Sequence, residues 1–208
     1  KDGQFIGLFD EMYRDSKEVP WHQDKTAEKL FVDLDISIIK HFIPKLNISS
    51  ICDLGCGLGY VTNRLKKELL PLVSNLNITG IDVSIEAINQ AKIIHPDINF
   101  IQANLAIQKL DHIKFDLIYM KDVLWYICNE VDDFILSAKE MLNPGGVIYV
   151  MQSVPDKEVF VGSELFPTTF AISSFLEKSF EPVYVSSTYE TYKAGGEKDK
   201  YLRFLGSK

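Results

Sequence analysis

The stretch that most limits how this chain can fold is Ile51-Cys52-Asp53-Leu54-Gly55-Cys56-Gly57-Leu58-Gly59-Tyr60. An apolar run ends in an acid, three glycines follow at alternate positions, and a helical pattern begins directly after them. That order predicts a strand, a tight turn and a helix start. Gly55, Gly57 and Gly59 permit positive φ and let a ligand approach the backbone, because no Cβ stands in the way.

Two ligand classes use such a turn. Dinucleotides rest a pyrophosphate on the helix N-terminus after G-x-G-x-x-G, whereas S-adenosylmethionine carries no phosphate. Here the spacing is G-x-G-x-G, and Asp53 stands two residues before the first glycine. Its carboxylate would repel a pyrophosphate and favour the cationic amino and sulfonium end of S-adenosylmethionine. From Cys52 to Gly59 the chain resembles the hydrophobic-x-D-x-G-C-G-x-G motif of class I S-adenosylmethionine-dependent methyltransferases. The resemblance implies a three-layer, Rossmann-like α/β fold with a seven-stranded, mostly parallel sheet and an antiparallel C-terminal hairpin. It also implies S-adenosylmethionine as cofactor, S-adenosylhomocysteine as product, and Asp53, Gly55, Cys56, Gly57, Gly59 and Tyr60 as cofactor-binding residues.

The next expected element is a strand ending in an acid for the ribose hydroxyls. Asn77 to Asp82 supplies it, with Asp82 lying 23 residues after Gly59 and Val83 following. Asp82 is equally suited by residue type to cap the helix that Ser84 opens and His95-Pro96 stops. A third strand, Ile98 to Ile101, leads to Asn104 and Leu105, where the family places an acid or amide for the adenine amino group. Asn104 replaces the commoner Asp; its carbonyl can still accept from the amine, and a simple Asn turn is the competing reading. Phe115 to Met120 reads as a strand buried on both faces, with Asp116 structural.

After that strand comes Lys121-Asp122-Val123-Leu124-Trp125-Tyr126-Ile127, at the end of a strand where open α/β sheets bind ligands. It resembles a segment of nodulation-type and related small-molecule methyltransferases, which implies Lys121 beside the cofactor and Asp122 and Tyr126 facing the acceptor. Aromatic packing is the plainer reading of Trp125 and Tyr126. A helix from Val131 to Leu142 then turns through Asn143-Pro144-Gly145-Gly146 into a strand from Val147 to Met151.

The reading assigns 1–208 to one domain: an N-terminal helical lid over 1–45, a cofactor-binding core over 46–152, and an acceptor loop with closing hairpin over 153–208. In the lid, a helix is expected from about Thr26 to Phe42. The Tyr13 to Trp21-His22 pattern resembles the segment that closes over the cofactor in the same methyltransferases, making Tyr13 and Trp21 cofactor contacts and His22 a candidate base. Pro155, Gly162 and Pro167 break regular structure between Ser153 and Thr169. The tail reads as a helix near 172–178, a strand near 183–188, a turn at Gly195-Gly196 and a strand over 201–205.

A net charge of −7 and a pI near 5.1 disfavour nucleic acid as partner, since a polyanion needs a basic stripe. No apolar run is long enough for a membrane span. Cys52, Cys56 and Cys128 read as reduced thiols, no metal spacing appears, and the cytoplasm is the expected location. The expected reaction is in-line transfer of an activated methyl group to nitrogen or oxygen of a small molecule or sugar, with His22, Asp122 or Tyr126 as optional bases. A cofactor-binding partner subunit without catalysis and a nicotinamide-dependent oxidoreductase are the alternatives.

Overall fold

The computed structural model describes residues 7–189 and 199–208. The expected turn at Gly195-Gly196 lies outside the described residues.

Seven strands form one sheet in the order β3-β2-β1-β4-β5-β7-β6. They are β1 Ser50–Leu54, β2 Asn77–Asp82, β3 Asn99–Gln102, β4 Phe115–Lys121, β5 Leu142–Val154, β6 Glu181–Tyr189 and β7 Lys200–Ser207. Strands β1 to β5 pair in parallel, while β7 is antiparallel to both β5 and β6. This is the seven-stranded, Rossmann-like sheet with an antiparallel hairpin that the resemblance implies.

Central strands are apolar on both faces because both faces are covered. Side chains alternate between the two layers. Leu54, Ile118 and Met120 pack with Phe134 and Ile135 of α6 (Val131–Glu140) and with Ile172 of α7 (Thr169–Leu176). Ile51, Leu117 and Tyr119 pack with Ile36 and Ile39 of α3 (Leu30–Leu46), Leu65 of α4 (Tyr60–Leu69) and Ile88 of α5 (Ile85–Ile94). Pro182 sits in β6, an outermost strand, where a missing N–H does least harm.

Three boundaries differ from the sequence reading. Helix α3 begins and ends four residues later than expected and carries Pro44 in its last turn. Proline there forfeits a single backbone bond, and Asn47, left-handed at φ 51°, closes the helix with its N–H on the Ile43 carbonyl. Helix α7 starts at Thr169 because the Thr168 hydroxyl accepts from Ala171 N at 3.1 Å. The Asn143 to Gly146 link is absorbed into β5, which stays paired through a bulge opposite Phe115 and Leu117, with Gly145 at φ +76°.

A charged network lies inside the second layer. Asp35 on α3 accepts from Arg203 Nε on β7 at 2.7 Å and from the hydroxyls of Tyr149 and Tyr119, each at 3.0 Å. Arg203 also donates to the Phe31 carbonyl at 3.2 Å, tying the start of α3 to the hairpin. Burial raises the Asp35 carboxyl to about 6, against the opposing pull of Arg203 and the two hydroxyls.

Candidate active site

Strand order reverses between β1 and β4, and the crevice at their carboxyl ends is where an open α/β sheet holds a ligand. The glycine turn after β1 is tied to β2: the N–H groups of Gly55 and Cys56 donate to the Ile81 carbonyl at 2.8 and 3.1 Å. Gly55, Gly57 and Gly59 all take positive φ, and Gly59 starts α4. Asp82 pins the turn from the next strand, accepting from Gly57 N at 2.8 Å through Oδ2 and from Ser84 N at 2.9 Å through Oδ1. Each oxygen keeps a lone pair for a further donor. The carboxyl is raised above its ordinary value by burial, which the N–H groups of Ser84 and Gly57 oppose. Asp82 therefore caps the turn and lines the cavity at once.

Asp53 is almost wholly buried and accepts from the Thr62 hydroxyl at 2.6 Å. Burial pushes its pKa up to about 7; the Thr62 bond lowers it, nearby Asp82 raises it and Lys121 lowers it. A buried carboxylate whose partners only partly offset its burial gains from a cation placed beside it.

Opposite the glycine turn stands the segment after β4. Asp122 is held at φ +54°, with Oδ1 accepting from Ser153 N at 2.8 Å and Ser153 Oγ at 2.7 Å, and Oδ2 accepting from Lys121 Nζ at 2.5 Å. Burial alone would raise this carboxyl, but Lys121 and Ser153 outweigh it and hold it below the usual range. It is a fully engaged anion, poorly suited to taking a proton. Burial, reinforced by Asp122, pushes the Tyr126 hydroxyl up to about 12, so it is neutral near pH 7. Lys121 lies over the Phe31 ring at 5.0 Å, and Phe31 stacks on Tyr201 at 5.7 Å.

The N-terminal segment covers the crevice. Helix α1 (Phe9–Asp15) docks on the start of α5, where Asp10 accepts from the Ser84 hydroxyl at 2.6 Å. Phe9 and Trp21 each meet Tyr126 at 5.7 Å between ring centroids, and Tyr13 meets Trp21 at 5.9 Å. Together these elements enclose a cavity of about 560 Å³.

Comparison with known proteins agrees with this geometry. Residues 52–148 match the family profile described as "Methyltransferase domain". Over that stretch the chain is similar to methyltransferase domains. Over 114 residues, 55% of this chain, it is 32% identical to trans-aconitate 2-methyltransferase of Afipia carboxidovorans, covering 41% of that protein. Over 118 residues it is 27% identical to a protein named as methyltransferase 235L of Invertebrate iridescent virus 6, covering 42% of it. The chain thus spans less than half the length of these curated relatives. Among solved structures, the N-methyltransferase NodS of Bradyrhizobium japonicum WM9 with S-adenosyl-L-homocysteine superposes with a TM-score of 0.65 at 20% identity, covering 95% of this chain and 99% of that one. TehB of Haemophilus influenzae gives 0.59 at 17%, covering 83% and 62%. At such identities the likeness is one of fold.

The cavity is lined by Tyr13, Trp21, Asp53, Gly55, Cys56, Tyr60, Asp82, Val83, Asn104, Leu105, Lys121, Asp122 and Tyr126, all named from the sequence. Gly57 and Gly59 are not on its wall. A Cβ on Gly57 would meet Gln23 and the Tyr13 hydroxyl within 2.4–2.7 Å, and one on Gly59 would meet Phe100 at 2.5 Å. His22 is likewise not brought to the cavity; its side chain is 59% exposed and its nearest charged partner is Glu18 at 3.9 Å. The Asn104 carbonyl accepts from Ala106 N at 3.0 Å, so it shapes its own turn. Asp116 is structural as expected, accepting from Ser49, Ser50 and Asn143.

Gln23, Phe31, Ser153 and Tyr201 also line the cavity and escaped the sequence reading, because none belongs to a spaced motif. Among the described residues, the wall carries five carboxylates, Asp53, Asp82, Asp122, Glu130 and Asp199, against Lys29 and Lys121. That balance, the two open lone pairs of Asp82 and the apolar Val83 and Leu105 fit a cationic nucleoside such as S-adenosylmethionine. Among the described residues no cluster of His, Cys, Asp and Glu is arranged to hold a metal ion, and no helix is long and apolar enough to cross a membrane.

Proposed function

We propose that this chain transfers the methyl group of S-adenosylmethionine to a nitrogen or oxygen atom of a small molecule or sugar. The observation that carries the reading is the acidic cavity closed between the glycine turn and a second wall drawn from α1, Trp21, Phe31, Tyr126 and Tyr201. S-adenosylmethionine supplies a methyl already activated as a sulfonium. The chain's residues then have to bind, orient and exclude water. In this reading Asp82 holds the ribose hydroxyls, Asp53 and Lys121 set the field around the charged end, and Val83, Asn104 and Leu105 flank the base. Tyr13 and Trp21 close over it.

Proton removal has a minor part in the proposal. Asp122 is already bonded on both oxygens, Tyr126 is neutral, and His22 stands outside the cavity. Asp122 instead fixes Lys121 and Ser153 at the acceptor side. An amine acceptor that arrives neutral needs no base, and NodS is described as an N-methyltransferase. The relative named for trans-aconitate supports a small acceptor equally well. The five carboxylates weigh against a nicotinamide dinucleotide, whose pyrophosphate they would repel. The acidic surface weighs against nucleic acid, and the three free thiols suit a reducing, cytoplasmic setting.

The test is transfer of labelled methyl from S-adenosylmethionine across a panel of amino sugars, nucleotide sugars, small amines and small carboxylic acids. Transfer to one class is the expected result. Cofactor binding without transfer to any acceptor, and without slow turnover to S-adenosylhomocysteine, would favour a partner subunit that has lost catalysis.

A further inference from the structure

Gly57 belongs to the glycine motif, yet the space its missing Cβ leaves is filled by the chain itself. A Cβ there would stand 2.4 Å from Gln23 Nε2, 2.6 Å from Gln23 Oε1 and 2.7 Å from the Tyr13 hydroxyl. The Gln23 amide lies across the turn and is used at both ends. Its Oε1 accepts from Leu58 N at 2.8 Å, and its Nε2 donates to the Tyr13 hydroxyl at 2.9 Å. One side chain therefore joins a backbone N–H of the cofactor turn to helix α1 of the covering segment.

The chain is contorted to put Gln23 there. Trp21 and His22, the two residues before it, both take left-handed backbone angles, at φ 52° and 49°. Such conformations persist where the surroundings fix them, and they gather at ligand clamps. Tyr13 is anchored independently, its carbonyl accepting from Gln90 Nε2 at 3.1 Å and its ring packing with Leu58 and Ala87. Gln23 is also a cavity-wall residue, as are Tyr13 and Trp21 on either side of the bridge. A ligand in the cavity therefore lies against both side chains of the bridge and against Trp21 beside it.

We infer that Gln23 is a positioning residue that couples occupancy of the cavity to closure of the N-terminal segment, holding that segment on the glycine turn through Leu58 and Tyr13. The inference rests on the reading of the cavity as the S-adenosylmethionine site. A ligand shifts a conformational equilibrium only through contacts that differ between its states. Here the contacts with Tyr13, Trp21 and Gln23 exist in the closed state, so closure slows escape more than it speeds entry.

The experiment is stopped-flow binding of S-adenosylmethionine, followed by tryptophan fluorescence with Trp21 adjoining the bridge, together with calorimetry. The proteins are wild type, Gln23→Ala and Tyr13→Phe. With two hydrogen bonds removed, Gln23→Ala should weaken binding about tenfold, almost all of it as faster dissociation, with the association rate changed less than about twofold. Tyr13→Phe keeps the buried ring and removes one end of the bridge, so it should move the dissociation rate the same way by about threefold. A general loss of structure would slow association and lower the melting temperature of the ligand-free protein, which this role does not require. Wild-type dissociation rates in both variants would overturn the inference while leaving the cofactor site standing. Absence of S-adenosylmethionine binding by the wild type would overturn both.

Discussion

A Cβ placed on Gly55 stands 2.5 Å from Cγ2 of Val123, so the glycine turn and the segment after β4 are packed with no room between them. Gly55 also takes φ +76°, where an L side chain is strained by about 1–2 kcal/mol before any clash is counted. Gly55→Ala should therefore lower the melting temperature and weaken cofactor binding together. Adding Val123→Ala relieves the clash and leaves the backbone strain. Thermal melts of the single and double variants check this, with partial recovery in the double variant as the expected outcome.

If the cavity holds the sulfonium cofactor as proposed, Asp53 should make its affinity depend on pH. Its carboxyl is held up at about 7 by burial, while a cationic ligand binds best to the ionised form. Affinity for S-adenosylmethionine should rise about tenfold between pH 6 and pH 8, following the ionised fraction of a group titrating near 7. Asp53→Asn should bind more weakly at pH 8 and flatten the profile. Calorimetric titrations at several pH values measure both.

The ligand-free protein should show the opposite trend in stability. Asp35 and Asp53 have folded-state pKa values of about 6 and 7, above the ordinary 3.8, so the folded chain holds more protons than the unfolded one between about pH 4 and 7. Stability falls as pH rises through that window. Asp116, lowered to about 2 because its bonds to Ser49, Asn143 and Ser50 outweigh burial, contributes stability that is present above about pH 4 and lost toward pH 2. A melting-temperature maximum near pH 4–5 is the expected outcome, shifting upward in pH when S-adenosylmethionine is added.

Arg203 is the counter-charge of a carboxylate with no exposure at all. Arg203→Met leaves Asp35 buried with only the hydroxyls of Tyr119 and Tyr149, at a cost of about 3–5 kcal/mol. Asp35→Asn in the same chain removes the stranded charge and should restore much of that loss. Denaturant unfolding of the wild type and the two variants provides the measurement.

Much of the platform was legible in the sequence, because spacing carries it. Asp53, the glycines and Asp82 are fixed by where two strands end, and Asp116 by the start of a third. Asp82 proved to be both cap and cavity residue, since a carboxylate has lone pairs enough for both. The covering wall was only partly legible. Trp21 was read alongside His22, but left-handed angles at both residues put the indole at the cavity and the imidazole outside it. Gln23, Phe31 and Tyr201 come from α2 (Gln23–Thr26), α3 and β7 and meet only in the folded chain. The Asp35–Arg203 pair joins residues 168 positions apart, with no local pattern to mark either.

The central claim is that this cavity holds S-adenosylmethionine through Asp82, and calorimetry tests it most directly. The account predicts saturable binding of S-adenosylmethionine and S-adenosylhomocysteine by the wild type, none of NAD, and at least tenfold weaker binding by Asp82→Ala, which loses a charged hydrogen-bond acceptor. Preference for NAD, or equal affinity in wild type and Asp82→Ala, would contradict it.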